Sequence, residues 1–111
     1  MQQSLTAVVE RNVTFDAAFA TEPYEAGWAD EARWFVRVLE AAGEGSELLL
    51  HPQISPDGLF WCDEGSAPLV AHGPGLYSCA LRDFGAWLRL RGEVHGEAAS
   101  FRVVISLALK G

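Results

Sequence analysis

Residues 55–58 read Ser-Pro-Asp-Gly and constrain the fold most, because these residue types specify a tight turn between two apolar runs. Proline at the second turn position presets φ, aspartate suits the third position, and glycine adopts the left-handed conformation that follows. Apolar residues occupy most of 48–54 before the turn and 59–62 after it. Two apolar runs joined by such a turn predict an antiparallel β-hairpin with a glycine bulge.

Glycines divide the rest of the chain into segments of strand length, a spacing typical of sandwiches and jelly rolls. The clearest segment is 100–110, where one face carries Phe101, Val103, Ile105, Leu107 and Leu109. Alternation with a period of two over this length indicates a β-strand with one buried face. The sequence therefore predicts an all-β protein, an antiparallel two-sheet sandwich of jelly-roll-like form with about eight strands.

The same alternation assigns candidate core and surface residues. In residues 84–91, Leu88 belongs to the inward set, whereas Trp87 and Arg89 belong to the outward set. Trp61 closely follows the hairpin turn, and we expect it to pack in the core with Leu88 and Ile105.

Residues 30–42 fit two secondary structures. As a helix, the segment would place Trp34 and Leu39 on one apolar face, with Asp30 as a cap and Gly43 as a stop. As a strand, it would place alternate residues on opposite faces. The aromatic and β-branched run at 34–36 and the short link to the next strand favour the strand.

Length and charge limit the organisation of the chain and its partners. At 111 residues the chain is expected to form a single β-sandwich domain, 1–111, in which residues 1–30 form an N-terminal arm or extra strands. A net charge of −7 argues against nucleic acid or an anionic membrane as a partner, since both attract basic surfaces. The N-terminus lacks the basic head and apolar run of a signal peptide, which favours a cytoplasmic or virion-associated location.

No arrangement of residues predicts catalysis or a cofactor. The histidines, His51, His72 and His95, lie in separate segments without metal-ligand spacing, and no nucleophile or phosphate-binding motif is present. The acidic residues near the hairpin, Asp57, Asp63 and Glu64, could share a hard cation, but a solvated acidic turn is the simpler interpretation. The sequence therefore predicts no catalytic centre, no cofactor and no required metal.

The cysteines are Cys62 and Cys79. Because the chain shows no export signal, we expect two reduced, half-buried thiols rather than a disulfide.

The aromatic residues leave two interpretations open. Trp28, Trp34, Trp61, Trp87 and the two tyrosines could form a stacking platform for sugar rings on a β-sandwich. Alternatively, they fill the core and anchor a protein interface, because tryptophan and arginine are typical interface anchors. Trp28 and Trp87 are the tryptophans expected to face outward, and Trp87 shares its face with Arg89. We assign Trp28, Trp87 and Arg89 to a candidate assembly surface.

The order of these segments resembles that of small β-sandwich proteins found among phage and prophage virion genes. The resemblance covers residues 31–110: an apolar strand precedes an S-P-D-G-x-x-W hairpin at 55–61, and strands at 75–79, 84–91 and 100–110 follow. It implies a non-enzymatic structural protein that forms homo-oligomers or a larger shell, such as a capsid decoration or shell-associated subunit. The alternative from the residues alone is a carbohydrate- or ligand-binding sandwich module.

Overall fold

A computed structural model describes residues 3–111, and these residues contain ten β-strands and no α-helix. The strands are β1 (Ser4–Phe15), β2 (Phe19–Ala20), β3 (Tyr24–Glu25), β4 (Glu31–Ala42), β5 (Glu47–Ser55), β6 (Cys62–Asp63), β7 (Leu69–Ala71), β8 (Gly75–Arg82), β9 (Trp87–His95) and β10 (Ser100–Lys110). Accordingly, no helix in the described part of the chain is long and apolar enough to cross a membrane.

The strands form two antiparallel sheets, which confirms the predicted all-β sandwich. Sheet A has the strand order β1-β10-β4-β8, and sheet B has the order β2-β9-β5-β6, with β3 also paired to β9 and β7 also paired to β5. If β2 and β3 are taken as one interrupted strand, and β6 and β7 as another, the chain has eight strand positions. Their order is then 1-8-3-6 in sheet A and 2-7-4-5 in sheet B, which is the strand order of a jelly roll.

Proline and glycine explain the two interruptions. Pro23 lies between β2 and β3, where it has no N–H to donate to the ladder. Thr21 restores the contact with β9, because its backbone N–H donates to the carbonyl of Leu90 and its hydroxyl accepts from the N–H of Leu90, both at 2.9 Å. Gly65 and Pro68 similarly separate β6 from β7. The count of ten strands therefore includes four short pieces of two jelly-roll positions.

The core lies between the sheets and follows the period-two pattern. Its largest fully buried side chains include Trp34, Phe101, Leu88, Leu90, Ile105 and Leu107. In β10 the inward face of 101–109 is buried, and the alternate residues are only partly buried. In β4 the same alternation buries Trp34, Val36 and Val38, so the strand assignment of residues 30–42 is confirmed.

The hairpin at the Ser-Pro-Asp-Gly segment exists, but the prediction of a tight turn was wrong. Ile54 pairs with Cys62, and residues 56–61 form a wide loop, so the expected strand at 59–62 is reduced to its last residue and Asp63. Consequently the prediction that Trp61 packs in the core was wrong: Trp61 is half-buried on the outer side of sheet B. The placement of Leu88 and Ile105 in the core was correct.

Residues 3–30 contribute strands to both sheets. β1 pairs with β10 along the edge of sheet A, whereas β2 and β3 pair with β9 at the edge of sheet B. The pairing of β1 contains two register shifts, between Val8 and Glu10 and between Glu10 and Val13. The opposite edge strand of sheet A, β8, pairs with β4 without any register shift.

Candidate functional site

The loop between β5 and β6 presents two large apolar side chains to solvent. Leu59 and Phe60, which we call the apolar tip, are 77% and 76% exposed and are the most exposed large hydrophobic residues in the described chain. Exposed apolar side chains of this size are typical of binding surfaces when they are held in place by surrounding structure.

Side chains of the turn residues hold the apolar tip in place. The hydroxyl of Ser55 accepts from the N–H of Gly58 at 2.8 Å and donates to the carboxylate of Asp57 at 3.0 Å. That carboxylate also accepts from the N–H groups of Leu59 and Phe60, at 2.9 and 3.1 Å. These two backbone bonds, followed by the smaller effect of Ser55, lower the pKa of Asp57, so the carboxylate stays ionised. The tip is therefore displayed on an ordered, capped loop.

Trp87 supports the loop from below. Gly58 has φ of +79°, and a Cβ atom at this position would lie 3.1 Å from the ring of Trp87. The indole therefore packs directly against the backbone of the turn. Trp87 is half-buried on the outer face of sheet B, opposite Ser55 in the β5–β9 pairing.

A polar chain of contacts continues from this point across sheet B. The guanidinium of Arg89 lies 4.4 Å from the ring centroid of Trp61, in a cation–π arrangement. Its Nε donates to Gln53 Oε1 at 2.8 Å, and Gln53 Nε2 donates to Asp63 Oδ1 at 3.0 Å. Burial, and to a lesser degree the charge of Arg91, lowers the pKa of Arg89. Arg89 is therefore engaged in contacts within its own chain.

Glu93 is the centre of a second polar cluster on the same face. Its carboxylate accepts from Arg91 at 3.0 Å, and His95 Nε2 lies 3.0 Å from its other oxygen. His51 Nε2 also lies 2.7 Å from the carboxylate, although at an angle that does not form a proper hydrogen bond. The hydrogen bond with His95, then the one with Arg91, and to a lesser degree the close approach of His51, lower the pKa of Glu93.

This arrangement predicts an acid-dependent loss of stability. Because the pKa of Glu93 is lowered in the folded state, its ionised form stabilises the fold above the ordinary carboxyl pKa of about 4.3. That contribution is lost as the pH falls through the lowered value. We expect Glu93→Gln to lower the melting temperature at pH 7, and the difference from wild type to shrink below about pH 4. Thermal unfolding from pH 7 to pH 3 measures this, with Glu97→Gln as a control at an exposed carboxylate; a difference independent of pH would contradict it.

The outer face of sheet A has the opposite electrostatic character. Strand pairing places five of the protein's eight Lys and Arg residues on it, namely Arg33, Arg37, Arg82, Arg102 and Lys110. Two carboxylates, Glu31 and Glu40, share this face and pair with Arg82 and Arg102, each at 2.9 Å. Five cations and two carboxylates give the face a formal charge of +3, so the rest of a protein of net charge −7 carries −10.

A shallow groove of about 410 Å³ opens on this basic face. We call it the basic groove; its floor consists of Phe35, Ala80 and Ala108, and its sides include Arg33, Arg82 and Lys110. All three cations are exposed, and Arg33 donates to the Ser78 hydroxyl at 3.1 Å. Glu31, which pairs with Arg82 at 2.9 Å, also lines the groove, so three cations and one carboxylate border the apolar floor.

The three residues assigned to an assembly surface differ in their positions and contacts. Trp28 is 41% exposed and lies beside Gly111, in the connection between β3 and β4. Trp87 and Arg89 lie on the outer face of sheet B, as predicted. However, the ring of Trp87 packs against Gly58, and the guanidinium of Arg89 lies over the ring of Trp61. Their place in an interface stays a prediction.

Sequence reasoning missed both the apolar tip and the basic groove. The tip was assigned to a strand, and the groove requires knowledge of which strands are neighbours. The available signal for the groove was the outward set of β4 and β10, where Arg33, Arg37, Arg102 and Lys110 recur on one face.

Among residues 3–111, no group of three or more His, Cys, Asp or Glu side chains lies close enough to hold a metal ion. Both thiols are free, and Cys79 is half-buried on sheet A as expected, whereas Cys62 is exposed on sheet B. Burial raises the pKa of Cys79.

No family model matches this chain, and no curated protein matches it in sequence. Among solved structures, the chain is similar to PBSX exported protein XepA, with a TM-score of 0.68 and 14% identity over 95% of this chain and 36% of that one. The chain thus spans little more than a third of the length of XepA. The structures of FLHE (TM-score 0.46, 13% identity, 99% of this chain and 95% of that one) and of dimeric latent PorU from Porphyromonas gingivalis (0.39, 14%, 99% and 10%) are more distant. At these identities the similarity to XepA shows a common fold.

Proposed function

We propose that this protein is a non-enzymatic structural subunit that assembles with copies of itself, as a decoration or shell-associated component of a phage-like particle does. The observation that carries the proposal is the apolar tip. Leu59 and Phe60 are more than three-quarters exposed, yet the Ser55 and Asp57 side chains fix the backbone that presents them. Two large apolar side chains exposed to water are energetically unfavourable, and a partner that covers them removes this cost.

The free edge of sheet A gives additional support. β8 pairs with β4 on one side only, without a bulge, and it carries Leu76 at 66% exposure. Edge strands expose unpaired backbone groups and are commonly protected by bulges, such as those of β1, or by contacts with another subunit. A regular, apolar edge is therefore consistent with association between copies.

The resemblance to phage and prophage virion proteins is what directs the proposal towards a particle. The S-P-D-G hairpin, on which the resemblance partly rests, is also the segment that presents the apolar tip. The PBSX exported protein XepA has a similar fold. If this chain were exported as XepA is, it would lie outside the cytoplasm. Of the two predicted locations, we therefore retain the virion-associated one.

The test is the molar mass of the protein in solution. We expect light scattering at micromolar concentration to give a discrete homo-oligomer or a larger assembly rather than the 12.1 kDa chain. Leu59→Ser with Phe60→Ser should lower this mass, because it removes the apolar contact, while leaving each chain folded since both side chains are exposed. Val70→Ser, at a residue 40% exposed on β7, is the matched control and should leave the mass unchanged.

Two further measurements separate the competing functions. Replacing Trp87 and Arg89 by serine tests the surface expected from the sequence, and an unchanged mass in a folded double variant removes these residues from the interface. A wild-type monomer whose tryptophan fluorescence changes on titration with polysaccharide would refute self-assembly and support a carbohydrate-binding module.

A further inference from the structure

We infer that the basic groove on sheet A of one copy receives the apolar tip of a second copy. This inference rests on the proposed self-assembly and names the two surfaces that would meet. It is carried by the match between two features of the same chain: an apolar tip in a segment with three acidic residues, and an apolar floor bordered by three cations and one carboxylate.

The groove supplies both components of such a contact. The strands β10, β4 and β8 are neighbours, and their pairing aligns Ala108, Arg33 and Ala80 side by side. The adjacent row of paired residues on this face is Ser106, Phe35 and Ser78. The small side chains on either side of Arg33 create the groove, and the Phe35 ring provides an apolar surface within it. A volume of about 410 Å³ lies at the low end of the range that holds a drug-sized ligand, and is thus suited to a pair of side chains.

The tip supplies the complementary groups. Residues 57–64 contain the acidic residues Asp57, Asp63 and Glu64 and no Lys or Arg, with Leu59 and Phe60 between them. Inserting the apolar pair onto the floor would bring these carboxylates to the level of the cationic walls. Burial of apolar surface would supply affinity, and charge complementarity would fix the orientation.

The charge distribution favours a second copy as the occupant. The outer face of sheet A carries +3, whereas the remaining residues carry −10, so the basic face of one copy attracts an acidic segment of another copy, such as residues 57–64. Two copies meeting through identical basic faces would repel. A tip and a groove on every subunit produce either a reciprocal dimer or a head-to-tail chain that closes into a ring or continues.

Complementation between two variants tests this inference. The groove variant, Arg33→Glu with Lys110→Glu, has an intact tip, and neither replaced cation forms an ion pair within residues 3–111. The tip variant, Leu59→Ser with Phe60→Ser, has an intact groove. We expect each variant alone to dissociate, with a dissociation constant raised on the order of a hundredfold. An equimolar mixture should then form a heterodimer, because one intact tip meets one intact groove.

The control is Arg11→Glu with Arg37→Glu, which makes the same charge change at exposed residues outside the groove and should leave the mass of the assembly unchanged. Two results would overturn the inference while leaving self-assembly intact: a groove variant that assembles like wild type, or two folded monomeric variants that do not associate when mixed. A wild type that is itself monomeric would instead refute the proposed function. Circular dichroism and the melting temperature of each variant establish that it is folded.

Discussion

Replacement of Ile105 by alanine is expected to lower the free energy of unfolding by about 2–5 kcal/mol, the range for a cavity in a packed core. Ile105 lies in the middle of β10, is completely buried, and faces sheet B from the centre of sheet A. Since β10 is paired on both sides, the surrounding backbone has little freedom to fill the cavity. A loss of this size is a large part of the stability of a domain of this length.

Chemical denaturation with two control variants measures this effect. Ser106→Ala changes the next residue, which faces the outer side of sheet A, and should alter stability by less than about 0.5 kcal/mol. Trp61→Ala should cost only about 1 kcal/mol, because this half-buried ring loses mainly its contact with Arg89. If Ser106→Ala were the more damaging of the β10 variants, the register of the strand would be wrong by one residue, since a slip of one exchanges the two faces.

The fold could be predicted from the sequence because burial is recorded in the period of the side chains. In β10, every second residue from Phe101 to Leu109 is buried, as the alternation requires. In β4, the helix template and the strand template shared Trp34, and the run of β-branched and aromatic residues distinguished them. Local preference and tertiary burial agree in these strands, so sequence reasoning succeeds there.

The hairpin loop could not be predicted in the same way, because side-chain hydrogen bonds rather than hydrophobicity determine its width. Asp57 accepts from the backbone of Leu59 and Phe60, which extends the turn and carries these residues beyond the end of the sheet. Aspartate in a turn commonly accepts from N–H groups two or three residues later, so this residue was the available signal. Treating Leu59 and Phe60 as strand residues because they are apolar also placed Trp61 wrongly in the core.

The basic groove required information that one strand does not contain. Arg33 and Arg82 are more than forty positions apart in the sequence, and their proximity follows from the pairing of Glu31 with Arg82 and of Arg33 with Ala80. The sequence showed that each strand has an outward cationic residue, but the neighbours of each strand come from the jelly-roll topology. Surfaces built across strands are therefore less predictable than the core of each strand.

The rigidity of the apolar tip connects the sandwich to its proposed role. An exposed pair on a disordered loop would lose conformational entropy when it binds, whereas a capped loop has already lost most of it on folding. Gly58 is where this rigidity depends on a single residue. It combines φ of +79° with direct contact between its backbone and the ring of Trp87.

Gly58→Val is accordingly the second substitution expected to have a large effect, with a loss of about 2–4 kcal/mol in the free energy of unfolding. A β-branched side chain in the left-handed region costs about 1–2 kcal/mol, and its Cβ would lie 3.1 Å from the Trp87 ring, which adds the cost of overpacking. Gly45→Val is the matched control, because Gly45 has φ of +67° but nothing within 4 Å of its Cβ position. It should show the conformational cost alone.

Denaturation of the two variants and of Gly58→Val with Trp87→Ala separates the two contributions. If the Trp87 ring is the source of the additional cost, the double variant should lose less stability than the sum of the single variants, since removing the ring relieves the contact. Gly58→Val should also weaken self-assembly at concentrations where it remains folded, because a displaced turn no longer holds the N–H groups of Leu59 and Phe60 against Asp57. Equal losses for Gly58→Val and Gly45→Val, with unchanged assembly, would mean that the tip needs neither Trp87 nor the capped turn beneath it.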